Sequence, residues 1–279
     1  MRVEDVLWRG VMSRRTVERV MRRVRSFAVW LELIRNLAVR DIQIRYKHSL
    51  LGLYWAIINP LLTAAIFGFA FGVILHASTG AIPYVVFLLT GLTFWNMFAN
   101  GVASATACIT GNASMLAKVY FPRVVLPTAA VLARLIDLAF SLLVLFVFIE
   151  IYHVPIHWTA IWLIPLLLLQ MVFTLGVAYM FAALNVLYRD MTQLVGLLLM
   201  IWMYASPVMY AATSTRNLVQ SVLLMNPMGG ILQAERDLLF VGHLTAGDFL
   251  WSAAAWTAFM FVAGLSVFKR IEPLFAEVM

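Results

Sequence analysis

"RDIQIRYKHSLLGLYWAIINPLL" occupies residues 40–62. Arg40, Arg45 and Lys47 fall within its first eight residues, and from 48 to 117 the chain then has no Asp, Glu, Lys or Arg. A basic segment that runs directly into so long an uncharged stretch reads as a cytoplasmic flank facing anionic lipid, followed by chain inside a bilayer.

Composition points the same way. Of 279 residues, 63% are hydrophobic and only 12% are charged, and mean hydropathy is +0.93. A soluble fold of this length needs far more polar surface. The net charge of +7 does not imply nucleic acid, because twelve of the twenty Lys and Arg lie in residues 1–47. No aromatic-basic interleaving extends along the chain as a nucleic-acid face requires. The single cysteine, Cys108, cannot form an internal disulfide and leaves the redox compartment open. The first fifty residues lack the compact apolar region and small-residue cleavage site of a signal peptide.

Six stretches are long and apolar enough to span: about 53–75, 84–107, 125–150, 159–184, 191–211 and 249–268. Helices are the expected form, since runs such as "LIPLLLLQMVF" do not alternate as a membrane β-barrel would. Lys and Arg in the connecting pieces set the expected orientation. Segments 1–52, 108–124, 185–190 and 269–279 hold twelve, two, one and two cations, whereas 76–83, 151–158 and 212–248 hold zero, zero and two. Both termini are therefore expected inside.

Residues 27–47 carry too many charges to span. Phe27, Leu31, Ile34, Ala38 and Ile42 recur at helical spacing, with Glu32, Asn36, Arg40, Gln43 and Lys47 on another face. This is the pattern of an amphipathic helix lying in the interface, with Gly52 as the hinge into the first span. The segment 212–248 is semi-apolar and broken by Asn226-Pro227 and Gly229-Gly230. Two short helices dipping into the outer leaflet fit it, and so does an ordinary folded external loop. The expected architecture is thus an all-α polytopic membrane protein. It comprises a cytoplasmic basic segment (1–52), a six-helix transmembrane domain (53–268) with broken, re-entrant-like helices before the last span, and a cytoplasmic tail (269–279).

No catalytic constellation emerges. A Gly-x4-Gly-Lys-Ser/Thr loop is absent, so the chain has no P-loop for ATP hydrolysis. His153 and His157 have metal-like spacing, but Pro155 and a short loop favour interfacial packing, and no metal site is expected. Arg134 and Asp137 stand at i, i+3 in the third span, where they can pair. Charges inside a span are functional candidates by default, although Pro127 could delay the helix start and place Arg134 near the cytoplasmic interface. Aromatics stand beside amides and hydroxyls in three places: Trp55 with Asn59 and Thr63, Phe94 with Asn96, and Trp202 and Tyr210 around Ser206. Ring faces suit the C–H faces of sugars while polar groups take hydroxyls; ordinary helix packing accounts for the same residues.

Four motifs in order, "RDIQIRYKHSLLGLYWAIINPLL" (40–62), "KVYFPRVVLP" (118–127), "LNVLYRDMTQLV" (184–195) and "IWMYASPVMY" (201–210), resemble the membrane subunit of type-2 ABC exporters, in the branch that exports O-antigen, teichoic acid and related polysaccharides. "NPMGGILQAERD" (226–237) and the closing "EPLFAEVM" fit as well. The resemblance implies a permease working as a homodimer in the cytoplasmic membrane, driven by two ATP-binding cassette subunits that bind ATP and Mg. The chain itself would hold no cofactor, and a lipid-linked polysaccharide would be the cargo. It implies that Arg40, Asp41, Arg45, Tyr46 and Lys47 belong to a helix gating the cytoplasmic entrance. It also implies that Lys118, Tyr120, Phe121, Pro122 and Arg123 couple to the ATPase. The first, second and fifth spans would line the channel, which gathers Trp55, Asn59, Thr63, Phe94, Asn96, Trp202, Ser206 and Tyr210 as its candidate residues. A drug- or lipid-exporting permease is the nearest alternative. A membrane-embedded glycosyltransferase is more remote, since the short loops offer no acidic or metal site.

Overall fold

The computed structural model describes residues 14–47, 54–74, 82–116, 121–188, 190–211, 222–223, 225–245 and 247–275. Among them there is no strand. The helices are α1 (Arg14–Tyr46), α2 (Trp55–Phe67), α3 (Tyr84–Gly111), α4 (Ala113–Leu116), α5 (Val125–Leu132), α6 (Leu135–Ile151), α7 (Leu163–Leu187), α8 (Met191–Tyr204), α9 (Pro227–Arg236) and α10 (Gly247–Ile271). Each apolar stretch of the sequence falls on a helix. Four helical segments, α3, α5 with α6, α7 with its preceding turn, and α10, are long and apolar enough to cross a membrane. The helices of the other two stretches are shorter, Trp55–Ala70 and Met191–Tyr204.

α3 is the central pillar. It packs on α5, α6 and α7 and is buried along most of its length, from Tyr84 to Ile109. A helix apolar all round belongs in such a place. Phe94 and Phe98 are fully buried in the larger core, where Phe98 stacks on Phe173 at 5.5 Å. α7 and α10 are in close backbone contact. A Cβ on Gly264 would lie 2.8 Å from the Gly176 carbonyl carbon, and one on Gly176 would lie 2.6 Å from the Met260 carbonyl carbon. Small residues let membrane helices approach this closely.

α1 starts well before residue 27 and is more than a one-faced interfacial helix. Leu33, Ile34, Leu37 and Ala38 pack on a second core with α5 and α7 residues, while Val29, Trp30, Leu31, Val39 and Ile44 remain exposed. One apolar stripe therefore meets protein and the other is free to meet lipid. The third apolar stretch is interrupted at Ala133–Arg134, between α5 and α6. Pro127 does not delay its start: it sits in the first turn of α5, where a missing N–H breaks no helical bond.

α9 continues as a π-helical turn, Asp237–Val241, and ends at Gly242 with φ +83°. That left-handed backbone favours glycine, and an added Cβ there would lie 2.8 Å from His157 Nδ1. His157 also donates its backbone N–H to Leu239 O at 3.0 Å. In the structure His157 packs this loop against α9. Gly52, Lys118, Tyr120, Arg189 and Arg216 lie outside the described residues, as does the side chain of Phe27.

A polar cleft and a braced chain break

The first turn of α6 carries Asp137, where the positive end of the helix dipole favours a carboxylate. Three donors converge on it. Arg45 Nη1 reaches Asp137 Oδ2 at 2.7 Å and Arg134 Nη1 reaches the same oxygen at 3.2 Å. Tyr46 Oη donates to Oδ1. Burial, and then the Asp137 hydrogen bond, pushes the Tyr46 phenol above its ordinary pKa, so it stays a donor. Arg134 Nη2 turns to Ser104 Oγ on α3. The end of α1 is thus tied to α6 and, through Arg134, to α3. Two guanidinium groups share one carboxylate, which leaves a local positive surplus.

Beside this cluster lies a cleft of about 390 Å³. α2 supplies Trp55, Asn59 and Thr63; α3 supplies Thr93, Asn96 and Asn100; α6 supplies Asp137 and Ser141. Trp55 is 41% exposed, so its ring is available to a ligand. Thr63 Oγ1 is bonded to Asn59 O at 2.7 Å. Thr93 Oγ1 and Arg134 Nε are buried without a hydrogen-bond partner among the described residues. Amides, hydroxyls and one open ring face can bind a polar chain with hydroxyls along it, and Arg45, Arg134 and Asp137 line the same cleft.

Four of the channel residues expected from sequence, Trp55, Asn59, Thr63 and Asn96, meet in this cleft. Phe94 does not line it. Two residues turn an α-helix by about 200°, so Phe94 and Asn96 point to opposite faces of α3. Sequence reasoning passed over Thr93, Asn100 and Ser141. The signal was there: Thr93, Asn96 and Asn100 form a polar stripe at i, i+3, i+7, and Ser141 lies one turn beyond Asp137.

Trp202, Ser206 and Tyr210 sit elsewhere, at the break that ends α8. Trp202 Nε1 donates to Asn226 Oδ1 at 2.8 Å and its ring meets Phe98 edge-on at 5.2 Å. Asn226 Nδ2 donates to Ser206 Oγ at 2.8 Å and to Ala205 O at 3.1 Å, and its Oδ1 accepts from Met228 N at 3.2 Å to cap α9. Tyr210 Oη donates to Tyr204 O at 3.0 Å. Buried Arg236 donates to Pro207 O and, at 2.7 Å, to Val208 O, with its guanidinium 3.7 Å from the Phe87 ring centre. Tyr84 Oη donates to Met209 O at 2.8 Å. Non-helical backbone inside a membrane protein must find such partners. Here the side chains of α3 and of the segment around α9 supply them.

Of the helix implied to gate the entrance, Arg40 bonds Asp41 at 3.2 Å and Asn112 at 2.6 Å, which ties α1 to the end of α3. Lys47 is exposed. Of the coupling residues, Phe121 packs on the second core and Arg123 bonds Glu272.

The ABC-2 type transporter family model matches residues 32–240. The chain belongs to the ABC-2 type transporter family. Among its relatives, an O-antigen export system permease protein RfbA of Klebsiella pneumoniae is 32% identical over 242 residues, covering 86% of this chain and 92% of the relative. An RfbA of Myxococcus xanthus is 29% identical over 260 residues, covering 92% and 99%. The polysialic acid transport protein KpsM of Escherichia coli is 24% identical over 258 residues, covering 88% and 96%. These matches run through both the cleft and the braced break of this ABC-2 chain. A permease subunit, not a catalyst, is what the family describes.

Proposed function

We propose that this chain is the permease of an ATP-driven exporter that moves a lipid-linked polysaccharide across the cytoplasmic membrane. The observation that carries the reading is the similarity, over nearly the whole chain, to permeases named for O-antigen export. The cleft supports it physically. Hydroxyl, amide and ring contacts exchange readily as a long polymer slides, and the charges that also line the cleft, Arg45, Arg134 and Asp137, are bonded to one another.

In this reading six helices span, both termini are cytoplasmic, and two copies form the pore. Two separate ATP-binding cassette subunits bind ATP and Mg. The loop containing Phe121, Pro122 and Arg123 docks on them. The end of α1, held on Asp137, guards the entrance of the cleft at the cytoplasmic side, and the break after α8 with α9 closes the opposite end. A drug- or lipid-exporting permease has less support, because the relatives named above are polysaccharide transporters.

The test is reconstitution of the chain with its ATP-binding subunit into liposomes loaded with lipid-linked glycan. Export is read as ATP-dependent appearance of lectin-reactive glycan on the opposite face. Hydrolysis without glycan movement, across O-antigen-like and teichoic acid-like cargo, would overturn the reading.

A further inference from the structure

The last described residues form a feature that the coupling loop alone does not explain. After α10 the chain makes a 3₁₀ turn, Glu272–Leu274, and returns beneath the start of α5. Arg123 is held there by three contacts. Its Nη1 donates to Glu272 O at 2.7 Å, its backbone N–H donates to Glu272 Oε1 at 3.3 Å, and its guanidinium lies 5.5 Å from the centre of the Phe275 ring. Phe275 is fully buried. It meets Phe268 edge-on at 5.4 Å, and Phe268 meets Tyr179 at 6.0 Å. Tyr179 Oη shares a hydrogen bond of 2.8 Å with Thr128 Oγ1 on α5. An unbroken packed route therefore runs from Arg123 through the C-terminal turn into α10, α7 and α5.

The outward side of the same turn is unlike its inward side. Leu274 is 42% exposed beside exposed Pro273, and Lys269 and Arg270 are exposed on the last turn of α10. The guanidinium of Arg123 bonds a carbonyl, and among the described residues it makes no ion pair with a carboxylate. A small apolar knob is thus rimmed by cations. A lipid surface would also accept cations beside apolar side chains, but long basic side chains reach headgroups by flexing. A cation held by a carbonyl and a buried ring, on a backbone fixed by Glu272, suits a partner of fixed shape.

We propose that the C-terminal turn Glu272–Phe275 is a second wall of the docking surface for the ATP-binding subunit, and that it positions Arg123 within that surface. The partner face it fits is an apolar groove with an acidic rim. This rests on the docking assignment of the Phe121–Arg123 loop made above. Movement of the docked subunit would then reach the last span directly as well as through α5.

The experiment uses the full chain co-expressed with its ATP-binding subunit. Affinity between the two is measured for Arg123→Ala, Phe275→Ala, the double variant and Leu274→Asp. Each single change should weaken binding about tenfold, the scale of a central interface residue. The double Arg123→Ala, Phe275→Ala variant should be no weaker than the worse single, because both act through one contact. Additive losses, or unchanged binding of Phe275→Ala, would overturn the proposal. Leu274→Asp alters an exposed side chain and leaves the packed route alone; unchanged affinity there would overturn it even if Phe275→Ala failed to fold. A loss of binding to anionic vesicles, with subunit affinity intact, would assign the turn to the membrane instead. Unchanged binding of Arg123→Ala would remove the docking assignment of the loop itself, whatever the turn does.

Discussion

Asp137 accepts from Arg45, Tyr46 and Arg134, so one carboxylate holds α1 against α6. It is 22% exposed, which keeps water partly away from the ion pairs. Hydrogen bonds to charged groups are worth about 1.5–3 kcal/mol each. Asp137→Asn keeps the shape but removes the charge, and it leaves Arg45 and Arg134 facing each other. The expected outcome is a loss of about 2–3 kcal/mol in the α1–α6 attachment. Amide hydrogen exchange in the last turn of α1 should then be several-fold faster in Asp137→Asn than in the unsubstituted chain, with exchange along α3 unchanged. Equal exchange of the last α1 turn in the two chains would refute the latch. From sequence, Arg134 and Asp137 stood out as charges in an apolar run that could pair with each other, as they do at 3.2 Å, but Arg45 and Tyr46 as further partners of Asp137 did not. Arg45 lies 92 residues from Asp137, and only the folded chain brings them together.

At the level of elements, glycine positions separate close helix contacts from open faces. Gly264 and Gly176 bring α7 and α10 into backbone contact, and a Cβ on Gly91 of α3 would lie 2.6 Å from the Val208 carbonyl oxygen and collide with Arg236. Gly196 of α8 has nothing within 4 Å. Gly91→Ala and Gly264→Leu should therefore each destabilise by about 2–3 kcal/mol, since a backbone neighbour cannot rotate aside. Gly196→Ala should be neutral or gain up to about 1 kcal/mol of helix propensity. Thermal unfolding of the detergent-solubilised chain measures all three, and a Gly196→Ala midpoint as low as that of Gly91→Ala would contradict the packing. The helices themselves were legible from apolar runs. The break at Ala133–Arg134 was not, because no glycine or proline marks it. Nor was the second apolar stripe of α1, since hydropathy does not distinguish a protein-facing side chain from a lipid-facing one.

Across the whole molecule, the aromatic residues paired with polar groups divide into two populations. Trp55 lines the open cleft, whereas Trp202 is wedged against Phe98 and Phe173 and bonded to Asn226. Trp55→Ala should slow glycan export about fivefold, near the ~1 kcal/mol of one aromatic contact, and leave the melting temperature unchanged. Trp202→Ala should instead cost about 3 kcal/mol of stability through lost packing. Export assays beside thermal melts separate the two. A Trp55→Ala chain that melts early but exports normally once folded would place that ring in the core of the mechanism's scaffold and not on the cargo path.

The sequence by itself determined the class of molecule. Too few charges, helical apolar runs and a crowd of cations before the first run leave only a helical membrane protein, because backbone polar groups in lipid must be satisfied within each helix. Its ordered motifs also carried the likeness to polysaccharide exporters. Which polar residues face a common space was decided by tertiary structure. The cleft needs α2, α3 and α6 side by side, and the brace at the end of α8 needs Arg236 and Tyr84 from distant segments. Inside a bilayer nearly every surface is apolar, so the alternation of buried and wet residues that reports helix orientation in soluble proteins is muted. Neighbouring helices alone decide where each polar side chain finds its partner.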